Sequence, residues 1–197
     1  MPLYFEEFTP GRRWTTPGRT LHEAEIGGFA ASYDAQDLHL DAMAAARGPF
    51  GGLIASGFHT LAVSWALWLR MGALEGSGRG GIGLDEVRWH LPVRPGDTLR
   101  AEVEVLERSL HPSRGRGRVV LGHTVRNQRE ETVLSYRSLG LVATDPAAER
   151  SYRSWTGPGG GGKMGQDPAA GAGGLRLKDR DAIGRLTAAR QSHAEIS

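Results

Sequence analysis

The sequence predicts an α+β domain in which an antiparallel sheet wraps one long buried helix. Two observations carry this. Leu61, Ala62, Val63, Trp65, Ala66, Leu67, Trp68 and Leu69 are apolar around nearly the whole helical circumference, which marks a helix buried on most sides. After Leu84 the pattern changes to consecutive strands, in which Leu99, Ala101, Val103 and Val105 alternate with Arg100, Glu102 and Glu104.

The elements follow in order. Residues 1–19 read as a lead-in strand and loops, broken by Pro10-Gly11 and Pro17-Gly18. Thr20 and Glu23 form a capping-box pattern before Ile26, Phe29, Ala30 and Tyr33, predicting a helix from about Leu21 to Tyr33. A turn-like segment, Asp34–His39, comes next. Asp41 to Arg47 predicts a short helix stopped by Gly48-Pro49. Ser56 suits the N-cap of the long helix, about Gly57 to Met71. Gly72, Gly76, Gly78, Gly80, Gly81 and Gly83 predict a flexible connector. Strands are then expected over Leu84–Leu91, about Leu99–Val105, Arg118–Val125 and Thr132–Ala143, with a hairpin turn at Asn127–Glu131. Residues 1–145 form the expected domain. Residues 146–197 are Gly-, Ala- and Pro-rich and are expected to be a disordered tail, because they bury too little to offset their ordering entropy.

Composition removes several function classes. With 197 residues the chain has room for one real core. There is no cysteine, so a disulfide scaffold, a thiolate nucleophile and a Cys-based zinc site are excluded. The net charge of +2 gives little reason to expect a nucleic-acid partner. The run Leu61–Leu69 is too short to span a bilayer, and the acidic start lacks a signal-peptide pattern. A soluble, cytoplasmic protein is expected.

The chemistry concentrates in Tyr33-Asp34-Ala35-Gln36-Asp37-Leu38-His39-Leu40-Asp41 and Phe50-Gly51-Gly52-Leu53-Ile54-Ala55-Ser56-Gly57. A carboxylate and an imidazole on one bent segment can hold a water between them and move its protons. The same spacing also suits a helix-terminal Asp and a satisfied core His. The second stretch leads into the long helix, whose first turn carries unpaired N–H groups and a positive dipole end. Those groups suit an oxygen that gains negative charge. His39, Asp41 and His59 are the right types for a metal cluster, but no spacing fixes them as one. Arg114–Arg118 reads as a hairpin loop rather than an RNA-binding patch. Ser56 lacks the Gly-x-Ser-x-Gly context of a nucleophile.

Taken together, these residues resemble the MaoC-like dehydratase family, the (R)-specific enoyl-CoA hydratases of the hotdog fold. The carrying pieces are Asp34, His39, Leu40 and Asp41; Phe50-Gly51-Gly52 and Ala55-Ser56-Gly57; Trp89 through Leu99; and the opening Glu6-Glu7-Phe8 with Gly11. The likeness covers about residues 4–143. Tyr33 stands where many members have Gly, and Ala35 and Asp37 stand where related members have Pro, which loosens the bend. The resemblance implies reversible hydration of trans-2-enoyl-CoA by Asp34 and His39, with amides near Ser56 and Gly57 receiving the thioester oxygen. It implies no metal or redox cofactor, an acyl-CoA substrate and a homodimer. A hotdog thioesterase and a non-catalytic acyl-CoA-binding subunit are the competing readings.

Overall fold

The structure, a computed structural model, describes residues 2–110 and 115–147. Most of the expected tail, and Arg114 of the expected hairpin loop, lie outside the described residues. A 3-10 turn (Phe5–Glu7) precedes two short strands, β1 (Arg13–Thr15) and β2 (Arg19–Thr20). Helices α1 (Glu23–Tyr33), α2 (Asp37–Leu40), α3 (Ala42–Arg47) and α4 (Gly57–Arg70) follow. Long strands β3 (Gly78–Trp89), β4 (Thr98–Leu110), β5 (Arg116–Arg126) and β6 (Thr132–Ala143) complete the order. The sheet is antiparallel with strand order β1-β4-β5-β6-β3, and β2 also pairs with β4. This is the expected α+β architecture.

The core forms where one face of α4 meets the inner face of the sheet. Val63, Leu67 and Trp68 are buried from the helix, opposite Leu99, Ala101, Val103 and Val105 of β4. The alternation read from the β4 sequence is therefore the burial pattern of the strand. The helix itself departs from expectation. Phe58 and Leu69 are exposed, and only one side of α4 is covered. The sequence had put apolar residues on every face, so an apolar stripe remains uncovered in the single chain.

Two boundaries differ from the sequence reading. The cap of α1 is His22 rather than Thr20, and the Glu25 carboxylate accepts the His22 N–H at 3.1 Å. Thr20 is drawn into β2, where its hydroxyl meets that of Thr98 at 2.7 Å. The glycines from Gly78 to Gly83 belong to β3 rather than to a connector. Their register against β6 slips between Gly78 and Gly80 and again between Gly81 and Gly83. A third irregularity, between Asp85 and Arg88, holds Glu86 at φ 52. Such bulges twist a strand without ending its pairing.

His123 is a core histidine. Its ring stacks on Tyr136 at 4.3 Å, and its Nε2 meets the Ser138 hydroxyl at 2.8 Å. Burial pushes its pKa down from 6.5 to about 3. The folded protein thus keeps this ring neutral, while the unfolded chain protonates it below pH 6.5. Stability must fall as pH drops from 6.5 toward 3, by about 1.4 kcal/mol per pH unit from this group alone. Urea unfolding between pH 7 and pH 4.5 checks this: His123→Gln should flatten the pH dependence of the unfolding free energy.

Candidate active site

Helix α1 ends where Asp34 leaves helical geometry at φ −156, ψ 65, with its N–H still bonded to the Ala30 carbonyl at 2.9 Å. The chain then turns. The Gln36 N–H returns to the Asp34 carbonyl at 2.8 Å, and the single turn of α2 carries His39 back toward Asp34. This hydrogen-bonded bend holds the geometry with no proline between Asp34 and His39.

The two side chains meet. His39 Nε2 lies 3.4 Å from Asp34 Oδ2. His39 is buried, and its Nδ1 is 2.8 Å from the Ile54 carbonyl. A carbonyl only accepts, so Nδ1 carries a proton, and Nε2 is the nitrogen that faces Asp34. Asp34 accepts a hydrogen bond from the Ser56 hydroxyl at 2.7 Å and another from the Gln36 amide at 2.6 Å. These two bonds, with Ser56 first, hold the Asp34 carboxyl below its ordinary pKa of 3.8. The nearby His39 lowers it further.

Ser56 and Gly57 open α4 beside this pair. Ser56 is fully buried and caps the helix, its Oγ accepting the Phe58 N–H at 3.2 Å. With its proton on Asp34 and its oxygen on Phe58, the Ser56 hydroxyl is committed to orienting the carboxylate. The Ser56 and Gly57 N–H groups meet no acceptor among the described residues and are the amides left for a ligand. Gly57 is required for a further reason. A Cβ there would fall 2.7 Å from the Trp89 indole, which donates its N–H to the Gly57 carbonyl at 2.9 Å.

Asp34, His39, Ile54, Gly57, Phe58 and Trp89 line a pocket of about 380 Å³. Phe58 also borders an apolar groove of about 560 Å³, walled by Leu61, Trp65, Ile82 and Leu139. His59 does not join the pair. It is buried, stacked 4.7 Å from Phe29, and desolvation lowers its pKa. Asp41 is committed as the cap of α3, accepting the Met43 and Ala44 N–H groups at 2.8 and 3.0 Å. Among the described residues no three acidic or histidine side chains are grouped to hold a metal. No helix among them is long and apolar enough to cross a membrane.

Sequence reasoning brought Asp34 and His39 together but missed three contacts that fix them: Ser56 on Asp34, Ile54 on His39 and Trp89 on Gly57. Each joins residues at least fifteen positions apart, and a side chain meeting a distant carbonyl leaves no periodic trace.

Ser56→Ala removes the first of the bonds on Asp34, so the carboxyl pKa should rise. The sign for stability follows. A lowered folded pKa stabilises the protein above 3.8, and the gain is lost as pH falls through the folded value. The variant should show a smaller loss over that acid range. At pH 7 it should lose about 1 kcal/mol from the missing cap, readable by urea unfolding.

The family model described as the MaoC-like domain matches residues 6–127. The chain belongs to the MaoC-like domain family. A 3-hydroxybutyryl-CoA dehydratase of Methylorubrum extorquens is 32% identical over 155 residues, covering 75% of this chain and 92% of that protein. Across the curated relatives the matched part spans from 30% to 92% of the relative's own length. Among solved structures, a MaoC-like dehydratase from Rhodospirillum rubrum matches with TM-score 0.67 and 34% identity, over 73% of this chain and 99% of that one. The unliganded R-hydratase of Pseudomonas aeruginosa matches with TM-score 0.57 and 28% identity, over 73% and 88%. The fold of this MaoC-like chain is the hotdog.

Proposed function

We propose that this MaoC-like protein is a hydro-lyase that adds water reversibly across a trans-2-enoyl-CoA, giving the (R)-3-hydroxyacyl-CoA. The observation that carries the reading is the 3.4 Å approach of His39 Nε2 to Asp34 Oδ2 at the mouth of α4. Two atoms that close can both reach one water at hydrogen-bond distance. The family and the dehydratase names of its relatives support the same reaction class.

In the proposed step Asp34, ionised at neutral pH, takes a proton from the water as its oxygen bonds to C3. His39, protonated on Nε2, gives that proton to C2 on the same face. The thioester oxygen gains enolate character and is received by the Gly57 N–H at the positive end of α4. Afterwards the proton on Asp34 passes to Nε2 and restores the pair. The water O–H bond breaks, the C3–O and C2–H bonds form, and the charge balances. These steps call on no metal or redox group. The groove beyond Phe58 gives an apolar place for the acyl chain.

A second copy completes the assembly in this reading. The uncovered stripe of α4 and the exposed Ile82, Leu84 and Trp89 of edge strand β3 would be buried in an isologous dimer. Sedimentation at micromolar concentration tests it, and a monomer would refute it. A soluble CoA-thioester enzyme of this kind belongs in the cytoplasm.

The deciding experiment mixes the protein with crotonyl-CoA and follows the conjugated enoyl absorbance. Loss of absorbance with (R)-3-hydroxybutyryl-CoA as product supports the proposal. Release of free CoA thiol would make the protein a thioesterase, and binding without turnover would make it an acyl-CoA-binding subunit.

A further inference from the structure

We propose that Trp89 is a positioning residue that acts on the Asp34 carboxylate through an unbroken line of hydrogen bonds across the start of α4. The inference rests on the reading of Asp34 as the reacting carboxylate. The line has three links. The Trp89 indole N–H donates to the Gly57 carbonyl at 2.9 Å. The N–H of that same peptide group, on Phe58, donates to Ser56 Oγ at 3.2 Å. The Ser56 O–H donates to Asp34 Oδ2 at 2.7 Å.

Every donation runs in one direction, from the indole toward the carboxylate. A peptide that receives a bond at its oxygen becomes a better donor at its nitrogen, and a hydroxyl that receives one becomes a better donor in turn. The negative charge at the far end draws on every link. Ser56 is fully buried, so water does not compete at the centre of the line. The Ser56 carbonyl starts the helix ladder by accepting the Thr60 N–H at 3.0 Å, and the indole gives the next carbonyl, that of Gly57, a donor from outside the helix.

Packing makes the contact obligatory for this chain. The indole lies so close over Gly57 that a Cβ would sit 2.7 Å from both Nε1 and Cε2. Phe58 meets the Trp89 ring edge-on at 6.0 Å. The half-exposed ring thus rests against a glycine with no side chain and beside an aromatic neighbour. Trp89 also lines the pocket that holds Asp34 and His39, yet its N–H points at the backbone. It serves the reaction by aiming another group.

The test reads the line from its far end. Indole N–H resonances in a proton–nitrogen correlation spectrum report how strongly each indole donates. In Ser56→Ala and in Asp34→Asn, both with Trp89 intact, the Trp89 indole proton should move upfield at pH 7, while those of Trp14, Trp65 and Trp68 stay in place. Trp89→Phe keeps a ring over Gly57 and removes only the donor. Its kcat on crotonyl-CoA should fall about three- to tenfold with KM unchanged, the size of one neutral hydrogen bond. An unmoved Trp89 resonance in both Ser56→Ala and Asp34→Asn overturns the proposal. So does movement in Asp34→Asn alone, which would mean a through-space field rather than a bonded line. If the wild-type protein hydrates no enoyl-CoA, the proposed function fails, but the resonances still decide whether the line exists.

Discussion

Asp34→Asn and His39→Gln should each lower kcat/KM for enoyl-CoA hydration by about 10²- to 10⁴-fold while the protein stays folded. Asn keeps the size of Asp34 and can still accept the Ser56 proton, so the bend between α1 and α2 survives. What disappears is the basic oxygen 3.4 Å from the ring. Gln at position 39 can still place an amide near the Ile54 carbonyl, but it has no nitrogen able to carry a proton to carbon and recover it. The double variant should be little worse than either single one, because the two groups act on one water. Stopped-assay rates with crotonyl-CoA, set beside thermal melts of each variant, check this. Full activity in either single variant would end the assignment.

Trp68→Ala should remove about 3–5 kcal/mol of stability. Trp68 is fully buried in the last turn of α4, with the Trp14 ring 5.3 Å away and the His123 ring 6.5 Å away. It is the largest side chain in the contact between helix and sheet, and no neighbour can swing in to fill its volume. Trp68→Phe offers the control. The Trp68 indole N–H is buried without an acceptor, so exchanging it for Phe loses volume but also removes an unpaired polar group. The Phe variant should therefore fall well short of the Ala loss. Urea unfolding at pH 7 measures both, and equal losses would mean that the indole N–H has a partner.

Much of the domain was legible in the sequence because it obeys local periods. The alternation in β4 names its buried residues, and Ser56 announces the start of α4 as a cap. The hairpin at 127–131 is closed by Asn127, whose side chain accepts the Arg129 and Glu131 N–H groups, a turn chemistry that short-range reading finds. Errors arose where tertiary pairing overrode local preference. Thr20 looks like a cap, but β2 pairs with β4 and takes it. The glycines of β3 look like a hinge, but β6 supplies a ladder that tolerates them through register slips. At the site, the meeting of Asp34 and His39 followed from five residues of chain. The Ile54 carbonyl that orients His39 did not, because its role depends on how the loop before α4 folds back over α2.

That carbonyl has a chemical consequence. With Nδ1 tied to Ile54, only Nε2 of His39 is open to an electrophile. An alkylating reagent that reaches the pocket must modify that nitrogen alone, and the nitrogen chemical shifts of the isotope-labelled ring would show which of the two carries the adduct.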